Sequence, residues 1–130
     1  MWPGRFRYGL RALIALSDGT QRTAGAIADE HDLPTKFLES ILRDLAATGL
    51  LLSTRGKLGG YRLARPAEQV PLAEIADALW PEAAGTLTSG QEQVILNDLR
   101  RALYVGMART TLADAAMRAA QAQHVLDYSI

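Results

Sequence analysis

No cysteine occurs in the 130 residues. Its absence excludes disulfides, thiol catalysis, and iron–sulfur or zinc centres built on thiolates. Long apolar runs are also missing: none approaches the roughly 20 residues that a membrane-spanning helix needs. Histidine is down to two, His31 and His124, isolated from one another, a pattern of structural or exposed side chains rather than metal ligands. The first ten residues, MWPGRFRYGL, hold neither the apolar region nor the cleavage pattern of a secretory leader, so a cytoplasmic location is expected. No metal, cofactor or membrane association is expected. Lysine is scarce beside arginine, two against twelve, which reads as genome composition. One local deficit carries more: residues 53–66, STRGKLGGYRLARP, contain no acid.

That stretch gathers Arg55, Lys57, Arg62 and Arg65 around Gly56, Gly59 and Gly60, in a chain whose formal net charge is zero. The neutrality conceals two opposed halves. Residues 1–65 carry ten Lys/Arg and six Asp/Glu, a balance of +4; residues 66–130 carry four and eight, a balance of −4. A basic half suits a polyanion, and an acidic half suits another task; chance is the competing explanation. With 48% apolar residues, the chain is long enough for one domain, or a domain with an extension, and its core.

Phe6, Leu10, Leu13 and Ile14 fall at helical spacing within residues 5–17, with Arg5, Arg7 and Arg11 off the stripe. DGTQR breaks the pattern. TAGAIADEHD reads as a short helix with Thr23 as N-cap, Ile27 as apolar anchor and Asp32 in a left-handed turn. The strongest helical signal follows Pro34: Phe37, Leu38, Ile41, Leu42 and Leu45 form one apolar face, Lys36, Glu39, Ser40 and Arg43 a polar one, and Gly49 ends it. Two short helices in succession, the second amphipathic, make a helix-turn-helix. LLST and YRLA then flank the turn RGKLGG as a β-hairpin, with Tyr61 and Leu63 on one face and Arg62 on the other. A hairpin directly after a helix-turn-helix is a wing. Beyond it, residues 70–80 form a short helix stopped by Pro81, with Trp80 as a buried anchor at its end. Val94, Ile95, Leu99, Leu103 and Met107 mark a long helix over 91–109, and Thr111 caps a further one. The tail HVLDYSI gives a weak signal.

A helix in the major groove meets distinguishable base edges, and a hairpin tip reaches the neighbouring minor groove or backbone. Glycines permit close backbone approach, and Arg55 and Lys57 neutralise phosphates. Taken alone, GKLGG is equally a solvated turn; the amphipathic helix before it favours nucleic acid.

In this order, RYGLRALIAL, LPTKFLESILRDLAATGLL, RGKLGGYRLARP and LAEIADAL resemble the BadM/IscR-type (Rrf-two) winged helix-turn-helix transcription regulators, and RTTLADAAM resembles that family's C-terminal end. The resemblance runs over about residues 5–117, and the RG-x-x-GGY wing is its most diagnostic part. It implies a mainly α fold with a small β-hairpin: a winged helix-turn-helix DNA-binding domain over 1–80, then a loop and helical dimerisation region over 81–130. It also implies a homodimer on double-stranded DNA, each subunit sending its long helix across to its partner. Carried over by position, the DNA contacts would be Thr35, Lys36, Phe37, Glu39, Ser40 and Arg43 on the recognition helix, Arg55 and Lys57 on the wing, and Arg5, Arg7 and Tyr8 at the start of the first helix. Lys36 would meet phosphate or guanine, Glu39 cytosine N4, and Arg43 backbone. Phe37 and Tyr61 fit the core as well, and Arg62 and Arg65 read as exposed.

Many members of that family bind an iron–sulfur cluster through three cysteines ahead of the long helix. Here the stretch is WPEAAGTLTSGQEQV, shorter than in cluster-binding members, with Gly90 near the last expected cysteine and Gln93 where a histidine ligand can occur. Neither residue can hold iron as a thiolate does, so no cluster is expected. The signal is then a small molecule, a protein partner, or abundance alone; were it a small molecule, its pocket would involve loop 80–93 and Trp80. The overall expectation is a homodimeric, sequence-specific repressor. The alternative is a winged-helix module that docks other proteins and ignores DNA. An enzyme is not expected: no nucleophile–base pair or metal constellation is present, and GKLGG sits in a hairpin rather than between strand and helix.

Overall fold

In the computed structural model of the chain, residues 2–83 and 90–129 are described. Part of the loop that a small-molecule pocket would involve, residues 84–89, lies outside them. The helices are α1 (Gly4–Ala15), α2 (Ala24–His31), α3 (Thr35–Ala47), α4 (Leu72–Leu79), α5 (Gln91–Arg109) and α6 (Leu112–Ser129). Between α3 and α4 lies an antiparallel hairpin of β1 (Leu51–Thr54) and β2 (Gly60–Leu63).

The apolar face of α3 sets the centre of the molecule. Leu38, Ile41, Leu42 and Leu45 are fully buried, packed with Leu13 and Leu16 of the α1 segment, Ile27 of α2 and Ile75 of α4. Each side chain of this size, once buried, contributes about 1.5–3 kcal/mol. Local chemistry sets the ends. Thr23 Oγ1 accepts from the Ala26 amide at 3.1 Å, capping α2. Asp32 ends α2 in the left-handed region at φ 52°, which a short polar side chain tolerates. Gly49, at φ 84°, follows the end of α3. Trp80, expected to be buried at the end of α4, is half-buried between Phe6 and the exposed Trp2, since so large a ring is seldom covered completely.

The hairpin pairs Leu51 with Leu63, Leu52 with Arg62, Ser53 with Tyr61 and Thr54 with Gly60. Leu63 is buried, Tyr61 half-buried and Arg62 exposed, the alternation read from the sequence. A further rung was not legible there. Arg22, just before α2, bridges to Tyr61: the Arg22 amide donates to Tyr61 O at 2.9 Å and the Tyr61 amide to Arg22 O at 2.7 Å. The wing is thereby sewn to the connection between α1 and α2.

The C-terminal helices are joined to this body by backbone. Leu72 donates to Thr110 O at 2.8 Å and Leu112 to Val70 O at 2.7 Å, and the Leu112 side chain is buried. Helix α6 runs to Ser129, through a tail with only a weak sequence signal. Alanine-rich composition favours helix without amphipathic spacing, and Gln123 supports Asp127 one turn on at 2.9 Å.

Its N-terminus is a reciprocal cap. The Asp114 amide donates to Thr111 Oγ1 at 3.1 Å, and the Thr111 amide donates to Asp114 Oδ2 at 3.0 Å. The bond from the Thr111 amide, helped by the Thr111 hydroxyl, holds the Asp114 carboxyl below its ordinary 3.8. A depressed carboxylate stabilises the fold above its unfolded pKa, and the contribution disappears as pH falls through the folded value. Asp114→Ala is therefore expected to lower the thermal midpoint at neutral pH, and the gap from the parent protein to narrow below about pH 4. Thermal melts of both proteins across that range check this.

Candidate nucleic-acid interface

Burying the apolar face of α3 leaves its other face outward. Thr35, Lys36, Glu39 and Arg43 are exposed and Ser40 is half-buried, with Lys36, Glu39 and Arg43 recurring at three- and four-residue spacing. Beside it the hairpin tip projects, with Arg55, Lys57 and Leu58 exposed. A cleft of about 460 Å³ separates the two: Glu39 and Arg43 stand on one side, Arg55, Gly59 and Gly60 on the other.

Glycine is required at this tip for space as well as for conformation. A Cβ on Gly59 would lie 2.3 Å from Thr54 O, and one on Gly60 would lie 2.5 Å from Arg22 O. Gly60 also has φ +140°, and Gly56 has φ +101°. The tip is held from outside too: the Gln21 side-chain amide donates to Leu58 O. Gln21 and Arg22 thus position the wing, and nothing in their local sequence announces it.

The basic residues divide into two groups. Arg5 pairs with Asp44 at the far end of α3. Arg22 pairs with Glu30 at 2.7 Å and Asp18 at 3.7 Å. Thr20, through its hydroxyl and its amide, holds the Asp18 carboxyl below its usual range, helped by Arg22. Arg65, read as exposed from sequence, is half-buried, pairs with Glu74 and donates to Gln69 O at 3.0 Å. Lys36, Arg43, Arg55 and Lys57 enter no ion pair among the described residues. Arg7, Arg11 and Arg62, which lie elsewhere, are unpaired as well among the described residues, so the α3 and wing cations are a subset of the free ones.

The aromatic candidates act as struts. Tyr8 and Phe37 are both half-buried and meet edge to face at 5.5 Å, bracing α1 against α3. Arg7 stands apart from α3: it lines a second cleft with Leu72 of α4 and Met107 of α5. The structure therefore brings Glu39, Arg43 and Arg55 together at one cleft, places Thr35, Lys36 and Ser40 on the same helix and Lys57 at the wing tip, ties Arg5 to Asp44 of α3, and leaves Arg7 outside.

Residues 3–118 match the family described as "Rrf2: Iron-dependent Transcriptional regulator". The chain belongs to the Rrf2 family. The transcriptional regulator IscR of Cereibacter sphaeroides is 30% identical over 126 residues, covering 83% of this chain and 81% of the relative. Among solved structures, CymR, the global cysteine regulator of B. subtilis, superposes with a TM-score of 0.79 at 25% identity, covering 91% of this chain and 97% of that one. T. potens IscR gives a TM-score of 0.79 at 26% identity, covering 95% and 90%. Against two other curated relatives the match spans about half of their length, 51% and 52%. The architecture is that of the winged-helix Rrf2 proteins, and the chain is a transcription regulator of that DNA-binding class.

The family description includes iron, and the residues here do not fit it. Rrf2 clusters would need thiolates, and this sequence has none. Among the described residues no three His, Asp or Glu come together as a metal site. Residues 84–89, AGTLTS, add no imidazole or carboxylate. Gly90 precedes α5, and Gln93 offers only an amide. No iron chemistry is assigned to this Rrf2 protein.

Proposed function

We propose that the chain is a cytoplasmic, homodimeric, sequence-specific DNA-binding repressor that works without an iron–sulfur cluster. The observation that carries this is the juxtaposition of the outward polar face of α3 with a projecting basic wing: Arg43 and Arg55 face one another across the cleft, and neither they nor Lys36 and Lys57 enter an ion pair among the described residues. A surface kept short of counter-charge suits a polyanion. On this reading residues 1–80 hold the DNA and 81–130 the partner subunit. Thr35, Lys36, Glu39 and Ser40 face base edges, while Arg43, Arg55 and Lys57 meet phosphates or the minor groove. Arg5 lies at the edge of the set, and Phe37 and Tyr8 hold α3 in place.

Selection of bound duplexes from a random library tests this directly. A palindromic site with half-sites about one helical turn apart is the expected product. Failure to enrich any sequence sinks the proposal. Leu58 favours the other reading, a protein-docking module, because it is apolar and 90% exposed at the wing tip. In the DNA reading the same side chain is a wedge for the minor groove. Glu39→Gln is expected to shift base preference in the selected site by about 1–3 kcal/mol at one position, with little change elsewhere.

The dimer reading rests on α5. Val94, Ile95, Leu96, Leu99 and Val105 are exposed on it, an apolar surface unusual for a helix that is to stay in water. Leu99→Glu is expected to shift the chain from dimer to monomer in sedimentation. It should also weaken binding to a palindromic duplex by at least about tenfold while leaving the α3–wing surface intact. Unchanged mass would remove α5 from the interface.

A further inference from the structure

The second cleft lies away from the DNA-facing surface. It holds about 360 Å³ between Trp2, Phe6, Arg7 and Leu10 of the N-terminal segment, Leu72 of α4 and Met107 of α5. That volume is within the range of small-molecule sites. Its wall is almost wholly apolar, and Arg7 is the one charged side chain lining it among the described residues. Arg7 is exposed, forms no ion pair among the described residues, and has its guanidinium 5.8 Å from the Tyr8 ring centroid. Two of the lining side chains are aromatic and belong to a larger ring cluster: Phe6 lies 6.3 Å from Trp2 and 5.6 Å from Trp80, and the two tryptophans are 5.7 Å apart.

An apolar cleft with one unpaired cation asks for an occupant of matching form. We propose that it binds a small carboxylate with an apolar, ring-sized body: the body lies against Trp2, Leu10, Leu72 and Met107, and the carboxylate pairs with Arg7. Arg7 stands at the exposed rim of the cleft, and its guanidinium fork suits a carboxylate. The cleft is too small for a helix, which is about 10 Å across with its side chains. The occupant touches α1, which braces α3 through Tyr8 and Arg5, and α5, which carries the exposed apolar surface. The site thus joins α1 to the long helix, and it stands independently of what the α3–wing surface binds.

Both tryptophans of the chain lie in this cluster, so intrinsic fluorescence reports on it. The experiment titrates the full-length protein with 3-phenylpropionate and, separately, with its neutral amide, with calorimetry as a second readout. Saturable binding of the acid is expected, with the amide at least about tenfold weaker. Arg7→Gln should bring the acid down to the amide, and Arg7→Lys should keep part of the preference. Leu72→Phe, which fills the cleft, should suppress both; Leu10→Phe serves if that variant does not fold. The proposal is overturned by any of three results: no saturable change up to about 10 mM, equal binding of acid and amide, or a preference that survives Arg7→Gln. It is also overturned if the emission responds to protein dilution and not to the probe, which would make the cleft a seam between two copies. None of these outcomes bears on DNA binding.

Discussion

Replacing Arg55 and Lys57 together by alanine is expected to weaken duplex binding roughly 30–100-fold at moderate salt, across specific and random sequences alike. Both side chains are exposed at the wing tip and pair with no acid among the described residues. Each neutralised phosphate releases counterions. The slope of log K against log salt should therefore become shallower by about 0.9 for each phosphate left without its cation, or about 1.8 in all. The weakening should be uniform because phosphates carry no sequence information. Arg62→Ala is the control: it removes the same kind of charge from the outer face of β2, where the cost should stay below about threefold. Neither change touches the core, so thermal midpoints should be unmoved. A double variant that binds as tightly as the parent would take the wing out of recognition, and an equal effect from Arg62→Ala would reduce its role to general charge.

Gly60→Ala should be among the most damaging single substitutions for the fold. The added Cβ would sit 2.5 Å from Arg22 O, 2.7 Å from Arg22 C and 3.0 Å from Thr23 N, all backbone. These atoms cannot turn aside as a flexible side chain would, because they belong to the rung that joins Arg22 to Tyr61 and to the capped start of α2. The residue also has φ +140°, which an L side chain rarely adopts. Overlap and strain together should cost about 3 kcal/mol or more, lowering the thermal midpoint by roughly 10 °C. Gly56→Ala isolates the conformational part. It has φ +101° but no atom within 4 Å of its added Cβ, so about 1 kcal/mol is expected. DNA affinity should fall with Gly60→Ala more than with Gly56→Ala, because the wing loses its attachment to the body. Equal melting of the two variants would show that the Arg22–Tyr61 rung does not constrain the hairpin.

Much of this architecture was legible before any coordinates. The apolar face of α3, the bounds of α5, the Thr23 cap, the turn at Asp32 and the in–out alternation of Tyr61, Arg62 and Leu63 all rest on interactions within a few residues. The extension of α6 was not legible, because an exposed alanine-rich helix needs no apolar stripe. The candidate site divided in the same way. The polar face of α3 follows from its period, and the tip of the wing from its glycines. The fate of each arginine did not follow, since Arg5 and Arg7 look alike in RFRYG. One is held by Asp44 and the other lines a cleft with Met107.

The sequence by itself determined which segments form helices, where the hairpin turns, and that no thiolate is available to hold iron. Those properties depend on spacing, turn chemistry and composition. Only the tertiary structure decided which bases remain unneutralised and what holds the wing. The Arg5–Asp44 pair spans 39 residues and the Gln21–Leu58 hydrogen bond 37. Pairings over such distances are chosen by how the helices pack, because packing determines which charges come close enough to cancel and which are left facing water.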